Sequence, residues 1–346
     1  MYRVAIVGCG RMAGSIDDEV LDYPAVALPY SHAAAYAQTP GVQMVAACDI
    51  QPEALRRFQE RWRVPQGYAD YRAMIDEARP EILSVTTHAT HHAEVVVYAA
   101  ERGVRGIYCE KPMACSLAEA ERMAGACRAH GVVFNIGTLR RYHPGYQRIR
   151  RMAEEGQLGE VMAAYYFGSG QLMHSHSHSI DTLSYLLGDP APVAVSGQLH
   201  PETIQPEGMQ LAKDPSVLHA HILYAGGREA FLLPARGMYE FQLVGKDGVA
   251  YAWNNGIDWA LRLRRTDTRW TIHSPAPFPE WEQGSPTLAC VADLIHALET
   301  GAPSSGRLEI ALPTMEISMG LIESHRCGGV EVALPAPARD YYVPAR

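Results

Sequence analysis

The sequence predicts an α/β chain in two parts, a doubly wound parallel sheet followed by an α+β part built on an antiparallel sheet. Three observations predict it. From residue 2 to about 138, short β-branched runs alternate with amphipathic helical stretches, as βαβ units require. Beyond about residue 140, strand-like segments follow one another without intervening helices, which implies antiparallel pairing. The chain has 346 residues, too many for one compact core and enough for two domains of about 100 to 200 residues each. The expected domains are 1–138 and 139–346.

In the first part the strands are Arg3–Val7, Gln43–Cys48, Ile82–Thr86, Gly106–Cys109 and Val132–Ile136. Helices fall between them, as at Pro52–Trp62 and at Leu117–His130, where apolar residues recur at three- and four-residue spacing. Right-handed crossovers then give a doubly wound sheet. In the second part the strands include Glu160–Phe167, Val193–Gln198, Val217–Tyr224, Glu229–Leu233 and Glu240–Val244. Helices bracket them at Pro144–Glu155, Ser177–Leu187, Pro286–Glu299 and Arg307–His325. The Pro- and Gly-containing stretches Pro201–Pro215 and His273–Pro286 read as loops.

Apolar residues make up 47% and charged residues 20%, an ordinary globular balance that excludes disorder, collagen and coiled coil. A formal net charge of −8 disfavours nucleic acid or an anionic membrane as partner. No apolar run reaches the roughly 18 residues that cross a bilayer, and the N-terminus enters a strand without a signal segment, so the expectation is a soluble cytoplasmic protein. The 7 cysteines include no C-x-x-C and lie largely in apolar runs, which predicts buried thiols rather than disulfides or a zinc site. The 15 histidines exceed what such a chain needs, and six of them fall in two clusters.

At the end of the first strand stands Gly8-Cys9-Gly10-Arg11-Met12-Ala13, a G-x-G-x-x-A fingerprint of the Rossmann type. Gly8 permits the tight turn, Gly10 lets backbone approach a pyrophosphate, and Ala13 keeps the next helix close to the sheet. Asp49 ends the second strand, where a carboxylate bonds adenosine ribose hydroxyls. Its distance along the chain exceeds the usual spacing of about 20 residues, because Ser15–Pro29 reads as an insertion. Asp49 is followed by Ile50, with no adjacent Arg for a 2′-phosphate, so the expected cofactor is NAD, with NADP less favoured.

Beyond the Gly106–Cys109 strand comes Glu110-Lys111-Pro112. Ligands of open α/β sheets bind outside the carboxyl ends of the strands, which puts this triplet at the cofactor crevice. With it the chain resembles the Gfo/Idh/MocA family, of the glucose-fructose oxidoreductase and inositol dehydrogenase type. The likeness runs through Gly8–Ala13, Asp49, Thr87–His92, Glu110–Pro112, Arg140–Pro144, Gly156–Gly159, His178–Asp181 and the terminal Val332–Pro335 strand. It implies a Rossmann domain joined to an α+β domain with a large open, mainly antiparallel sheet, often used for oligomer contacts, here a homo-oligomer (dimer or tetramer).

The resemblance implies roles for individual residues. Lys111 becomes the acid/base or substrate-orienting group, since burial and a nearby nicotinamide cation both disfavour its charged form, and a cis Lys111–Pro112 peptide would hold its turn rigid. Thr87 and His92 match the family's third-strand motif, while His88 occupies the position where the family carries proline. Together with Gly8, Gly10, Arg11, Met12, Asp49, Glu110 and Lys111 they make up the expected cofactor side. The family's Asp-x-x-x-His-x-x-Asp pattern is matched by His178 and Asp181, with His174 in the place of the first Asp. His178 then partners Lys111 in proton transfer, and His174, Tyr142, His143 and Asp181 face the substrate. Spacing alone also admits metal binding by the histidines 174, 176 and 178, but no Cys or carboxylate completes a set, so no metal is expected. The segment Ser15–His32 adds Asp17, Asp18, Tyr30 and His32 as candidates to overhang the site.

The resulting reading is an NAD-dependent oxidoreductase moving hydride between nicotinamide and a secondary hydroxyl of a sugar, sugar derivative or cyclitol. Two alternatives stay open. One is an enzyme that retains NAD and oxidises its sugar only transiently, for elimination or glycosidic cleavage. The other is a non-catalytic sensor of NAD or sugar.

Overall fold

The computed structural model describes residues 1–200, 208–336 and 340–345. The chain folds as two compact units, one of residues 1–142 and 284–312 with the C-terminal tail from Pro344, the other of residues 143–283 and 313–343.

The first unit opens with β1 (Tyr2–Val7), a π-type turn at Arg11–Ser15 and a 3-10 turn at Ile16–Glu19. It continues through α1 (His32–Gln38), β2 (Val42–Cys48), α2 (Pro52–Trp62), β3 (Gln66–Tyr68), α3 (Tyr71–Ala78) and β4 (Ile82–Val85). Then come α4 (His92–Glu101), β5 (Gly106–Cys109), α5 (Leu117–His130) and β6 (Val133–Ile136). The six strands form one parallel sheet in the order β3-β2-β1-β4-β5-β6. Every residue of β4 and β5 is buried, as a sheet covered on both faces demands. Local chemistry sets the helix ends: the Ser116 hydroxyl accepts the Glu119 N–H at the start of α5, and Gly131, with φ of 65°, ends it in the left-handed region.

The second unit contains α6 (Pro144–Glu154), β7 (Val161–Gly168), α7 (His176–Leu187), β8 (Pro192–Leu199), β9 (Val217–Tyr224) and β10 (Glu229–Leu233). The series goes on with β11 (Tyr239–Gly245), β12 (Gly248–Trp253), β13 (Asp258–Arg264) and β14 (His273–Ala276). Helix α8 (Pro286–Thr300) follows in sequence and belongs to the first unit; α9 (Leu308–Arg326) and β15 (Val332–Ala333) complete the chain. The second sheet has nine strands in the order β14-β13-β12-β11-β7-β10-β9-β8-β15. Only β10 against β7 is parallel; the other neighbours are antiparallel. Helices α6 and α7 cover one face, over a buried aromatic core of Tyr146, Tyr166 and Phe241. On the opposite face Tyr165 stacks on Phe231 at 5.1 Å, both only half-buried.

Several features depart from the sequence reading; among them, β3, β12 and β13 are strands it did not name. The helix expected straight after the fingerprint is replaced by the π-type and 3-10 turns, because the insertion separates them from α1. Within His273–Pro286, expected as a loop, residues His273–Ala276 pair with β13 as an edge strand. The loop expected over Pro201–Pro215 falls in part on residues 201–207, outside the described residues. A linear division puts all of 139–346 in one piece, yet α8 packs on the parallel sheet. There Cys290, Val291 and Leu294 join the cluster of Val4, Ile6 and Tyr108.

Candidate active site

All six strands of the first sheet run in parallel, so their carboxyl ends share one edge. Gly8 makes the turn after β1 with φ of +89°, and its N–H donates to the Cys48 carbonyl at 2.8 Å. A Cβ on Gly8 would stand 2.8 Å from the backbone of Thr86 and Thr87, so no other residue fits without displacing the end of β4. The Thr86 hydroxyl reinforces this junction by donating toward the Gly8 carbonyl at 2.7 Å and the Val7 carbonyl at 3.0 Å. At Gly10 a Cβ would meet nothing within 4 Å, so the backbone there borders open space. Asp49 closes the turn from β2, its Oδ2 accepting the Cys9 N–H at 2.7 Å and its Oδ1 the Gln51 N–H at 2.8 Å.

The remaining fingerprint residues divide. Ala13 is fully buried, and the closest approach behind it comes at Gly14, where a Cβ would stand 2.3 Å from Nε1 of Trp62. Met12 is half-buried. Arg11, expected at the cofactor, is exposed and forks onto the Glu19 carboxylate through Nε at 2.8 and 2.9 Å.

The Glu110-Lys111-Pro112 segment leaves β5 at the same edge. Its Lys111–Pro112 bond is cis, and Lys111 is half-buried. Glu110 is buried, with Oε1 3.0 Å from Nε2 of His32 and Oε2 3.4 Å from the Lys111 N–H. Burial by itself raises the Glu110 carboxyl, but the His32 bond and the neighbouring positive charge outweigh it and hold the group below the usual carboxylate range. His32 was a candidate to overhang the site. It is instead fully buried, because the chain after the insertion returns into the core, with the Asp17 carboxylate accepting the N–H groups of Tyr30 and Ser31.

His92 is likewise buried. Its Nε2 stands 3.0 Å from the Thr87 carbonyl and its Nδ1 3.0 Å from that of Pro112, tying the end of β4 to the segment after β5; burial pushes the imidazole pKa down. Thr87 is half-buried and His88 exposed, both at that edge. Tyr142 does not match its expected contact with substrate hydroxyls. It is buried, and its hydroxyl donates to Asn135 Oδ1 at 2.6 Å and Asp293 Oδ2 at 3.0 Å, since α8 brings Asp293 over that ring.

In the second unit His143 caps α6, its Nδ1 accepting the Gly145 N–H at 3.1 Å while the ring stacks on Trp259. The histidine run straddles the start of α7. His174 is exposed on the preceding turn, His176 is buried edge-on against Tyr166, and His178 is half-buried in the first turn of the helix. His176 therefore points elsewhere than its neighbours, and burial drives its imidazole down to about 4. Asp181 is buried on the same helix. The turn carrying His174 is held by Asp214, a buried carboxylate whose Oδ1 accepts the Met173 N–H at 2.9 Å and whose Oδ2 accepts the His174 N–H at 2.8 Å. Among the described residues, no three His, Cys, Asp or Glu side chains gather as a metal site.

Residues 2–138 match the Gfo/Idh/MocA oxidoreductase family with an NAD-binding Rossmann fold. The match spans the residues of the parallel sheet, less than half of the chain. D-apiose dehydrogenase of Paraburkholderia graminis is 25% identical over 297 residues, 80% of this chain and 73% of that protein. Inositol 2-dehydrogenase of Salmonella typhimurium is 26% identical over 162 residues, 43% of this chain and 48% of that one. The aldose-aldose oxidoreductase of Caulobacter crescentus, solved with glycerol, has a TM-score of 0.78 at 20% identity, over 96% of this chain and 99% of the other, and shares the fold.

Four residues around these positions escaped the sequence reading: Thr86, Ser84, His32 in its buried role, and Asp214. Thr86 ends the strand predicted at Ile82–Thr86 and could have been flagged as a hydroxyl beside the fingerprint. Nothing local to Asp214 marks it, since its partners lie 41 and 40 residues earlier in the chain.

Proposed function

We propose that this chain is an NAD-dependent dehydrogenase oxidising, or in reverse forming, a secondary hydroxyl of a sugar, sugar derivative or cyclitol. The observation that carries the proposal is the shared strand edge, where the Gly8–Gly10 turn, the Asp49 carboxylate and Lys111 all leave parallel strands of one sheet. The names of the relatives, an apiose dehydrogenase and an inositol dehydrogenase, support the substrate class.

The fit to a dinucleotide rests on the open space beside Gly10 and on Asp49, which would hold the pyrophosphate and the adenosine ribose hydroxyls respectively. Thr87, His88 and the Lys111 turn would flank the nicotinamide side. A carboxylate at Asp49 repels a 2′-phosphate, which favours NAD over NADP. Bound nicotinamide supplies hydride exchange. Lys111 takes the hydroxyl proton on Nζ, the role of proton-transfer partner is assigned to His178, and His174, His143 and Asp181 are assigned to the substrate. The catalytic assembly is a homo-oligomer.

The test replaces Lys111 with Ala and screens sugars and cyclitols with NAD. The proposal expects kcat to fall at least about a hundredfold, the scale of a lost general base. Near-normal turnover by Lys111→Ala sinks it. One observation favours a second reading, in which NAD is retained and the sugar is oxidised only transiently: His174 stands where the family carries a carboxylate. Cofactor that co-purifies and never accumulates as NADH during turnover would select that reading.

A further inference from the structure

We propose that His32 is a positioning residue for Lys111, acting by fixing the Glu110 carboxylate at the root of the Lys111 turn. The inference rests on the reading of Lys111 as proton acceptor. Glu110 is buried; His32 of α1 stands 3.0 Å from its Oε1, and Lys111 and His92 act electrostatically on the carboxylate. Behind it Gly137 follows β6, where a Cβ would stand 2.8 Å from Oε1, so the carboxylate has no room to swing that way. A buried carboxylate needs donors. His32 provides one to Oε1, and the Lys111 N–H approaches Oε2.

The imidazole is itself locked. It stacks on Tyr108 with centroids 3.8 Å apart and planes 13° from parallel. Its Nδ1 lies 3.0 Å from the Ser84 hydroxyl, which lies 2.8 Å from that of Tyr36. With Nε2–H aimed at Glu110, the donors run in one direction: Tyr36 to Ser84, Ser84 to His32, His32 to Glu110. Tyr36, Ser84 and His32 are all buried. The chain therefore ends inside the core and works as an anchor, not as a route for protons to solvent. Through Oε2, that anchor reaches the peptide from which the Lys111 side chain departs.

The experiment uses the full-length protein with NAD and the sugar on which it turns over fastest. His32→Ala lowers kcat about tenfold or more, the scale of a lost bond to a charged group, while KM for the sugar and the NADH dissociation constant from fluorescence titration stay within about threefold. His32→Gln, whose amide can donate to Oε1, recovers most of kcat. Infrared spectra of the His32→Ala protein show a protonated carboxyl band that disappears in the His32→Ala/Glu110→Gln double variant. Ser84→Ala, which only unlocks the ring, gives a smaller loss in kcat and decides the matter if His32→Ala does not fold. Full kcat in a folded His32→Ala or in Ser84→Ala, or loss of NADH binding in parallel with kcat, overturns the proposal. Lys111→Ala separates the two readings: full turnover there removes the acceptor role, whereas an inactive Lys111→Ala beside a fully active His32→Ala removes the role of His32 alone.

Discussion

Oδ2 of Asp49 accepts the backbone N–H of Cys9 at 2.7 Å, so the tip of β2 and the turn after β1 form one unit. Replacing Asp49 with Ala removes both this bond and the carboxylate proposed to discriminate against a 2′-phosphate. The NADH dissociation constant is expected to rise about tenfold or more, and that for NADPH to rise less. Fluorescence titration with each nucleotide measures both, and an unaltered ratio would deny Asp49 its part in selectivity.

Gly8 and Gly10 should fail in different ways. Gly8→Ala puts a Cβ against the Thr86 and Thr87 backbone at positive φ, so the protein loses stability, by about 1 to 3 kcal/mol, together with cofactor binding. Gly10→Ala meets no protein atom and is expected to leave Tm nearly unchanged, while the added methyl occupies the space proposed for the pyrophosphate and should weaken NADH binding. Thermal melts with and without NADH separate the two; equal losses of Tm would contradict the open space at Gly10.

Asp214→Ala leaves the Met173 and His174 N–H groups without their carboxylate, a loss of about 1.5 to 3 kcal/mol for bonds to a charged acceptor. Asp214→Asn keeps one carbonyl acceptor and should lie between that variant and the parent. The turn ahead of α7 then loosens, which hydrogen exchange at residues 173 and 174 reads directly. Unaltered exchange in Asp214→Ala would sink this account.

His176 gives the protein a defined acid sensitivity. The unfolded imidazole takes its proton near pH 6.5, whereas the buried one does so only at about 4, so between these values the unfolded chain binds more protons. Stability present above about pH 6.5 therefore falls as the pH drops through that window, by about 3 kcal/mol in all. His176→Phe, packed against Tyr166, should lose that much less between pH 7 and pH 4 in urea titrations. Parallel pH profiles for the two proteins would place the sensitivity elsewhere, for instance at His92.

The two sheets were legible because strand periodicity and crossover rules depend on residues close in sequence. The fingerprint and Glu110-Lys111-Pro112 were legible for the same reason. What escaped depends on distant packing. Helix α8 has an ordinary amphipathic pattern, and nothing in it says which sheet it covers. Tyr142 sits beside His143 in sequence yet spends its hydroxyl on Asn135 and Asp293, 7 and 151 residues away. His32 looked like a loop residue because the insertion hides its place in the first crossover; only the buried carboxylate of Glu110, 78 residues on, gives it a role.

The placement of α8 also bears on how the protein is made. Cys290, Val291 and Leu294 help to close the core around β1 and β5, and Ser285 and Thr287 hold the carbonyls of Pro29 and Tyr30. A nascent chain thus exposes apolar surface of its first sheet until the segment 286–300 has left the ribosome. The N-terminal unit completes itself late in synthesis, and a fragment ended at residue 138 would lack part of its own interior.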